Sequence, residues 1–288
     1  MTDGFTVYRR RIPETLGWGR LGRHVHHDSR SLAYLVEAAG TAVSKTWARR
    51  TPILDQGNLG SCTGNAAAGV LGTDPFYAGL KGHALDEAEA VALYSAATKL
   101  DSYAGTYPPT DSGSDGLSVA KAAKAAGLIS GYLHITSVAA AQTAIASGPF
   151  IVGSDWYDGF DSPDTTGLVS ISGTVRGGHE YECCGYDATH DRWELINSWG
   201  TSYGLSGHFY YTSATLNALL GAQGDATTFT PSTAPVPVPT PVPPTPPPTD
   251  PVVTFYNAAQ AWSDARHVGM NKVAATAARA LFVAEGLE

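Results

Sequence analysis

The chain reads as an α+β fold, with helices in its first half and strands in its second. Three observations predict this. Ala-rich runs with helical character occupy residues 62–72, 85–99 and 116–126. From Gly148 onward the pattern changes to short β-rich runs bounded by Gly, Asp and Asn. From Pro231 to Pro251 proline recurs at nearly every second position, which ends any regular pairing of the backbone.

Each element has its own signal. Ser61 is a good N-cap residue, and the Ala66-Ala67-Ala68 run favours a helix starting at Cys62. Leu85-Asp86-Glu87 opens the second helix with acidic residues in its first turn, and Gly127 stops the third. The expected strands are Phe150–Val152, Leu168–Ile171, Tyr181–Cys184, Trp193–Ile196 and His208–Tyr211. This divides the chain into an extension (1–49), a folded region (50–230), a Pro-rich linker (231–251) and a helical tail (252–288). Within the folded region, the helical lobe runs to about residue 140 and the β lobe from about 141. In extended polyproline II geometry the linker spans up to roughly 65 Å. Phe255, Trp262, Val273, Ala277 and Leu281 recur at helical spacing, and the tail is too short to bury a core alone. Docking to a larger assembly or oligomer is the use expected of it. The extension is read as an integral part of the domain; the alternative is a pro-segment over a cleft.

Composition excludes several classes of function. The 288 residues carry a net charge of −8, which argues against nucleic acid or an anionic membrane as partner. No apolar run is long enough to span a bilayer, and Met1–Arg11 lack the apolar core of a signal peptide. The expected location is therefore cytoplasmic on synthesis, with virion association or release as later fates. Cys62, Cys183 and Cys184 make no disulfide framework. Cys183 and Cys184 are expected as reduced thiols within a strand. His24, His26 and His27 lack companions at ligand spacing, so neither metal nor cofactor is expected.

Three stretches carry chemistry. Asp55-Gln56-Gly57-Asn58-Leu59-Gly60-Ser61-Cys62 sets a thiol on the first turn of a helix, six residues after a glutamine. The helix terminus favours the thiolate there. Gly177-Gly178-His179-Glu180 places a histidine at the start of a strand, and Asn197-Ser198-Trp199-Gly200 places an asparagine at a strand end. Cysteine, histidine and asparagine are the parts of a nucleophile, its base and the group that orients the base.

In order and spacing these stretches resemble the papain-like cysteine peptidases. His179 lies 117 residues and Asn197 135 residues after Cys62. Ser147-Gly148-Pro149-Phe150 resembles the family's strand after a Gly-Pro turn, and Asp111-Ser112-Gly113 resembles its bacterial and viral branch. The resemblance covers about residues 50–215 and implies a two-lobed fold with a cleft between a helical lobe and a β-barrel-like lobe. It further implies a cysteine-type endopeptidase acting on peptide or protein substrates. Cys62 would be the nucleophile, held as an ion pair by His179 and still reactive near pH 5. Asn197 would orient His179, and Gln56 with the Cys62 backbone N–H would form the oxyanion hole. Trp199 would shield the His–Asn bond, and Gly153 and Glu180 would line the substrate groove. The reading requires the sulfur to touch the imidazole, and not to be walled inside the protein.

The chain departs from the family at Thr63, where an aromatic is usual, and at Leu59, where many relatives have a disulfide cysteine. Glu180 and Glu182 stand where relatives are small and apolar. Glu180 is expected to give its pocket a preference for Lys or Arg, the alternative being exposure or a pair with Arg176. Two other functions remain open: a cell-wall peptide amidase or endopeptidase with the same chemistry, and a silent module anchored by its tail. Low disulfide use and the Ala/Gly-rich composition suggest a bacterial or bacteriophage source.

Overall fold

The computed structural model describes residues 21–38 and 42–232. The expected Pro-rich linker and helical tail lie outside the described residues, apart from Pro231 and Ser232. In the described part, three helices pack together against one face of an antiparallel sheet and two more pack against the other, which is the α+β class expected. The elements are β1 (Lys45–Thr46), α1 (Cys62–Leu71), α2 (Glu87–Ala97), α3 (Gly116–Ala125), β2 (Ile129–Ile135), α4 (Val138–Ser147), β3 (Phe150–Tyr157), β4 (Val175–Asp187), β5 (Arg192–Ile196), β6 (His208–Tyr211), α5 (Ser213–Gly221) and β7 (Asp225–Pro231).

The strand order is β2-β7-β3-β4-β5-β6, and β1 pairs with the far end of β4. All these pairings are antiparallel. Strand β4 is the axis of the sheet. Its side chains alternate, so Tyr181 and Cys183 enter the sheet's own core while Glu180 and Glu182 face the helices. A second core lies among α1, α2 and α3, with Ile151 and Phe229 contributed from the sheet. Glu182 links the two parts, since it pairs with Arg49 and accepts from Thr73 Oγ1 at 2.6 Å.

Helix α1 is buried along all ten of its residues. Small side chains make this possible: a Cβ at Gly64 would meet the Ala90 carbonyl oxygen at 2.2 Å. Helix α2 begins with a capping box between Asp86 and Glu89. Ser61 precedes α1 as expected but forms no side-chain cap. Its hydroxyl instead accepts from Asn65 Nδ2 at 3.1 Å.

Leu168–Ile171 does not form a strand. Only Leu168 bridges, to Tyr210, and Val169 alone of the run turns into the core, while Ser170 and Ile171 are exposed. Strands β2 and β7 were not expected. Cys183 and Cys184 are free buried thiols on β4.

Candidate active site

Cys62 is the first residue of α1, where backbone N–H groups lack partners within the helix. Its surroundings are fixed from both sides. Gly60 N–H donates to Asp111, whose Oδ1 also accepts from Tyr94 Oη at 2.6 Å, and Tyr94 Oη accepts from Gly113 N–H at 2.9 Å. This network ties the turn before Cys62 to the 111–114 loop. The backbone groups of Glu180, Gly22 and Thr63 lie beside the sulfur, where they favour its thiolate.

His179 stands next to that contact residue on β4, opposite Ser154 of β3. Its Nε2 lies 2.8 Å from Asn197 Oδ1. The same oxygen accepts from Ser198 N–H at 2.7 Å, which fixes the amide with oxygen toward the imidazole. Nε2 must then carry the proton and donate, leaving Nδ1 as the basic nitrogen of the neutral ring. Nδ1 is buried and has no hydrogen-bond partner. Trp199 and Trp156 enclose the ring at centroid distances of 5.0 and 4.8 Å.

Two sequence expectations need correction. The thiol was expected as a thiolate in contact with the imidazole and accessible in a cleft. Cys62 is instead 0% exposed, and no hydrogen bond joins it to His179 Nδ1. Burial, reinforced by the nearby Glu180 carboxyl, pushes the thiol up to about 12 against those backbone groups. Burial likewise lowers His179 to about 4, against the bond to Asn197. Both groups are neutral near pH 7 in this arrangement. The physical reason is desolvation, to which the segment at Gly22 contributes by lying against the sulfur.

Gln56 is anchored to the Asn197 region. Its backbone N–H donates to Ser198 O at 2.9 Å, its Oε1 accepts from Ser198 Oγ at 2.6 Å, and its Nε2 donates to Leu59 O at 2.7 Å. An Asp55–Trp199 bridge and the Gly200 N–H to Leu54 O bond continue this seam between the helical part and the sheet.

Glu180 and Gly153 face each other across β4 and β3. Glu180 is fully buried and does not pair with Arg176, which binds Asp161. A Cβ at Gly153 would meet Arg23 Nε at 2.5 Å, Glu180 Oε2 at 2.7 Å and Asp225 Oδ1 at 2.8 Å. Sequence reading missed Arg23, Asp225 and Trp156. A lone arginine carries no motif, and Asp225 is 202 residues away from it. Among the described residues, Cys184, Glu194 and His208 bring three ligand atoms within 4.8 Å of one another, but share no residue with the thiol site. No helix among the described residues is long and apolar enough to cross a membrane.

No protein-family model and no curated protein sequence matches the chain. Solved structures do match in shape. Xylellain, a cysteine protease from Xylella fastidiosa, aligns with a TM-score of 0.56 at 17% identity, over 78% of this chain and 99% of that one. Digestive procathepsin L 3 of Tenebrio molitor aligns at 0.50 with 19% identity, over 73% and 75% of the two chains. The proform of the ragweed pollen cysteine protease Amb a 11 aligns at 0.51 with 17% identity, over 71% and 70%. The chain therefore has the fold of the papain-like cysteine proteases.

Proposed function

We propose that this chain is a cysteine-type endopeptidase with Cys62 as nucleophile, His179 as base and Asn197 as the group that orients His179. The observation that carries the reading is the buried 2.8 Å bond between His179 Nε2 and Asn197 Oδ1, on a strand whose next residue, Glu180, has its backbone beside the Cys62 thiol. The tautomer fixed by Asn197 leaves Nδ1 free to take the thiol proton.

The chemistry follows in balanced steps. The Cys62 thiol gives its proton to Nδ1, and the sulfur adds to the substrate carbonyl. Gln56 Nε2 and the Cys62 backbone N–H are the proposed donors to the oxyanion. The carbon–nitrogen bond breaks as the imidazolium protonates the leaving amine. Water, deprotonated by His179, then cleaves the thioester to a carboxylic acid and restores the thiol. Trp199 and Trp156 hold water away from the His–Asn bond, where exchange with solvent would weaken it.

A catalytically silent module is the reading that burial of the sulfur favours. Cleavage-site profiling on a peptide library separates the two, with Cys62→Ala and Asn197→Ala as controls and prolonged incubation to compensate for the buried thiol. The proposal expects cleavage products that vanish in Cys62→Ala. Products of equal yield in that variant refute it.

A further inference from the structure

Away from the thiol site, three adjacent strands bring a cysteine, a glutamate and a histidine together on one face of the sheet. The ladder between β4 and β5 explains how. Cys183 pairs with Leu195 and Tyr186 with Trp193, and all four side chains enter the sheet's own core. Between those pairs β4 carries two residues, Cys184 and Gly185, against the single Glu194 of β5. An extra residue of this kind is a β-bulge, which interrupts the ladder and re-aims a side chain. Here it sets Cys184 beside Glu194, on the face away from that core. On the next strand Ile196 pairs with His208 and Glu194 with Tyr210, so His208 stands diagonally across from Glu194.

The ligand atoms of Cys184, Glu194 and His208 lie within 4.8 Å of one another. His208 Nδ1 is already 3.0 Å from Glu194 Oε1. Tetrahedral zinc holds sulfur at about 2.3 Å and nitrogen or oxygen at about 2.0–2.2 Å, which sets neighbouring donors roughly 3.3–3.7 Å apart. Side-chain rotations that move the donors by about an ångström therefore close the set around one ion. Gly185 leaves space for this. A Cβ there would lie 2.8 Å from Thr46 Oγ1 and 3.1 Å from Glu194 Oε2, and would crowd the carboxylate against its neighbour. Cys184 is buried, while Glu194 and His208 are half-buried, so an ion on these three ligands keeps one side open to water.

An ion pair between Glu194 and His208 has no need of a sulfur beside it. Nor does Cys184 gain much from its place, since its thiol reaches only the Glu194 carbonyl oxygen, at 3.7 Å. The surroundings suit a cation. The Glu182 and Glu194 carboxylates both act on the sulfur, and Arg49, which acts the other way, is engaged by Glu182. Magnesium and calcium prefer all-oxygen sites, whereas a thiolate, an imidazole and a carboxylate suit zinc.

We propose that Cys184, Glu194 and His208 form a zinc site with three protein ligands and a fourth position for water. The thiol gives its proton to solvent as the Zn–S bond forms, and His208 binds as the neutral ring. The ion clamps β4, β5 and β6 together. These strands carry His179 and lead into Asn197, but the site contains none of the residues of the proposed peptidase and stands without that reading. It is assembled across strands, and does not involve the His24, His26 and His27 run.

The test uses the full chain, stripped with EDTA and kept reduced. Zinc chloride is titrated by calorimetry, and cobalt(II) by absorption spectroscopy. One tight zinc per chain is expected, with a sulfur-to-cobalt charge-transfer band. Loss of an outer-shell partner alone costs about 10- to 100-fold in metal affinity, so Cys184→Ser, Glu194→Gln and His208→Gln should each weaken zinc binding at least about tenfold. Cys184→Ser should also abolish the band, and Cys62→Ala should keep it. Added zinc should raise the urea midpoint of the parent and leave that of His208→Gln where it was, a readout that holds even if Cys184→Ser fails to fold. Zinc affinity unchanged in His208→Gln and Glu194→Gln overturns the site. So does a cobalt spectrum without the band, or a band that vanishes in Cys62→Ala.

Discussion

Replacing Asn197 by alanine should slow acylation far more than it weakens substrate binding. Asn197 Oδ1 accepts two hydrogen bonds in a buried setting, from His179 Nε2 at 2.8 Å and from Ser198 N–H at 2.7 Å. Asn197→Ala strands both donors, and each buried donor left without a partner costs about 1–3 kcal/mol. The summed loss of folding stability is then about 2–6 kcal/mol. The catalytic loss has a different origin. Without the amide oxygen nothing favours the Nε2–H tautomer, so Nδ1 holds a proton in part of the population and the ring turns more freely. A loss of one to two kcal/mol of transition-state stabilisation corresponds to roughly 5- to 30-fold in kcat. KM should hold, because Asn197 lies behind His179 and not in the groove. Stopped-flow acylation reads the rate in the Gly22→Val background, where a Cβ 2.1 Å from Gly60 O displaces the segment lying against the sulfur, and urea unfolding reads the stability. Asn197→Asp keeps an acceptor and should recover most of the stability. Acylation by Asn197→Ala within twofold of its parent would refute the orienting role.

Further outcomes follow from other contacts. Gln56→Ala should lower turnover by about 10²–10³-fold with little change in KM, the cost of one oxyanion donor; steady-state kinetics on one peptide reads it. His179 binds its proton less readily folded than unfolded, since burial lowers it to about 4. Its stabilising contribution is fully present above about pH 6.5 and is lost as pH falls through about 4, amounting to about 3 kcal/mol. Urea midpoints measured from pH 7 to pH 4 should therefore fall more steeply for the parent than for His179→Gln. Glu182→Gln breaks a buried pair with Arg49 and should destabilise by about 3 kcal/mol while leaving the labelling rate of Cys62 in Gly22→Val unchanged.

The sequence was most legible where local pattern and chemistry coincide. Cys62 opens a helix because an Ala-rich run follows it, His179 sits on a strand, and Asn197 directly follows one, both strands marked by their β-branched and aromatic residues. It was least legible where partners are remote. Strand β2 contains Gly131 and His134 and shows no clean alternation of buried and exposed residues, so its pairing with β7 nearly a hundred residues away left no local trace. Leu168–Ile171 has strand composition, but only its first residue finds a bridging partner, showing that propensity yields to pairing. The state of the thiol was misread for the same reason. A helix terminus supplies at most about 2 kcal/mol toward the thiolate. That is too little to offset burial to which a segment forty residues upstream contributes, and that segment's Arg23 pairs with Asp225, more than two hundred residues further on.

In the proposed peptidase His179, and not the helix terminus, makes Cys62 a nucleophile once the sulfur is uncovered. Lowering a thiol from about 8.5 to about 4 takes roughly 6 kcal/mol, most of which a nearby imidazolium must provide. The pH dependence of Cys62 alkylation in Gly22→Val, with and without His179→Ala, measures this. Labelling should be rapid and persist to about pH 5 in Gly22→Val, and move to the ordinary thiol range in the double variant. Identical profiles centred on the ordinary thiol range in both proteins would contradict it.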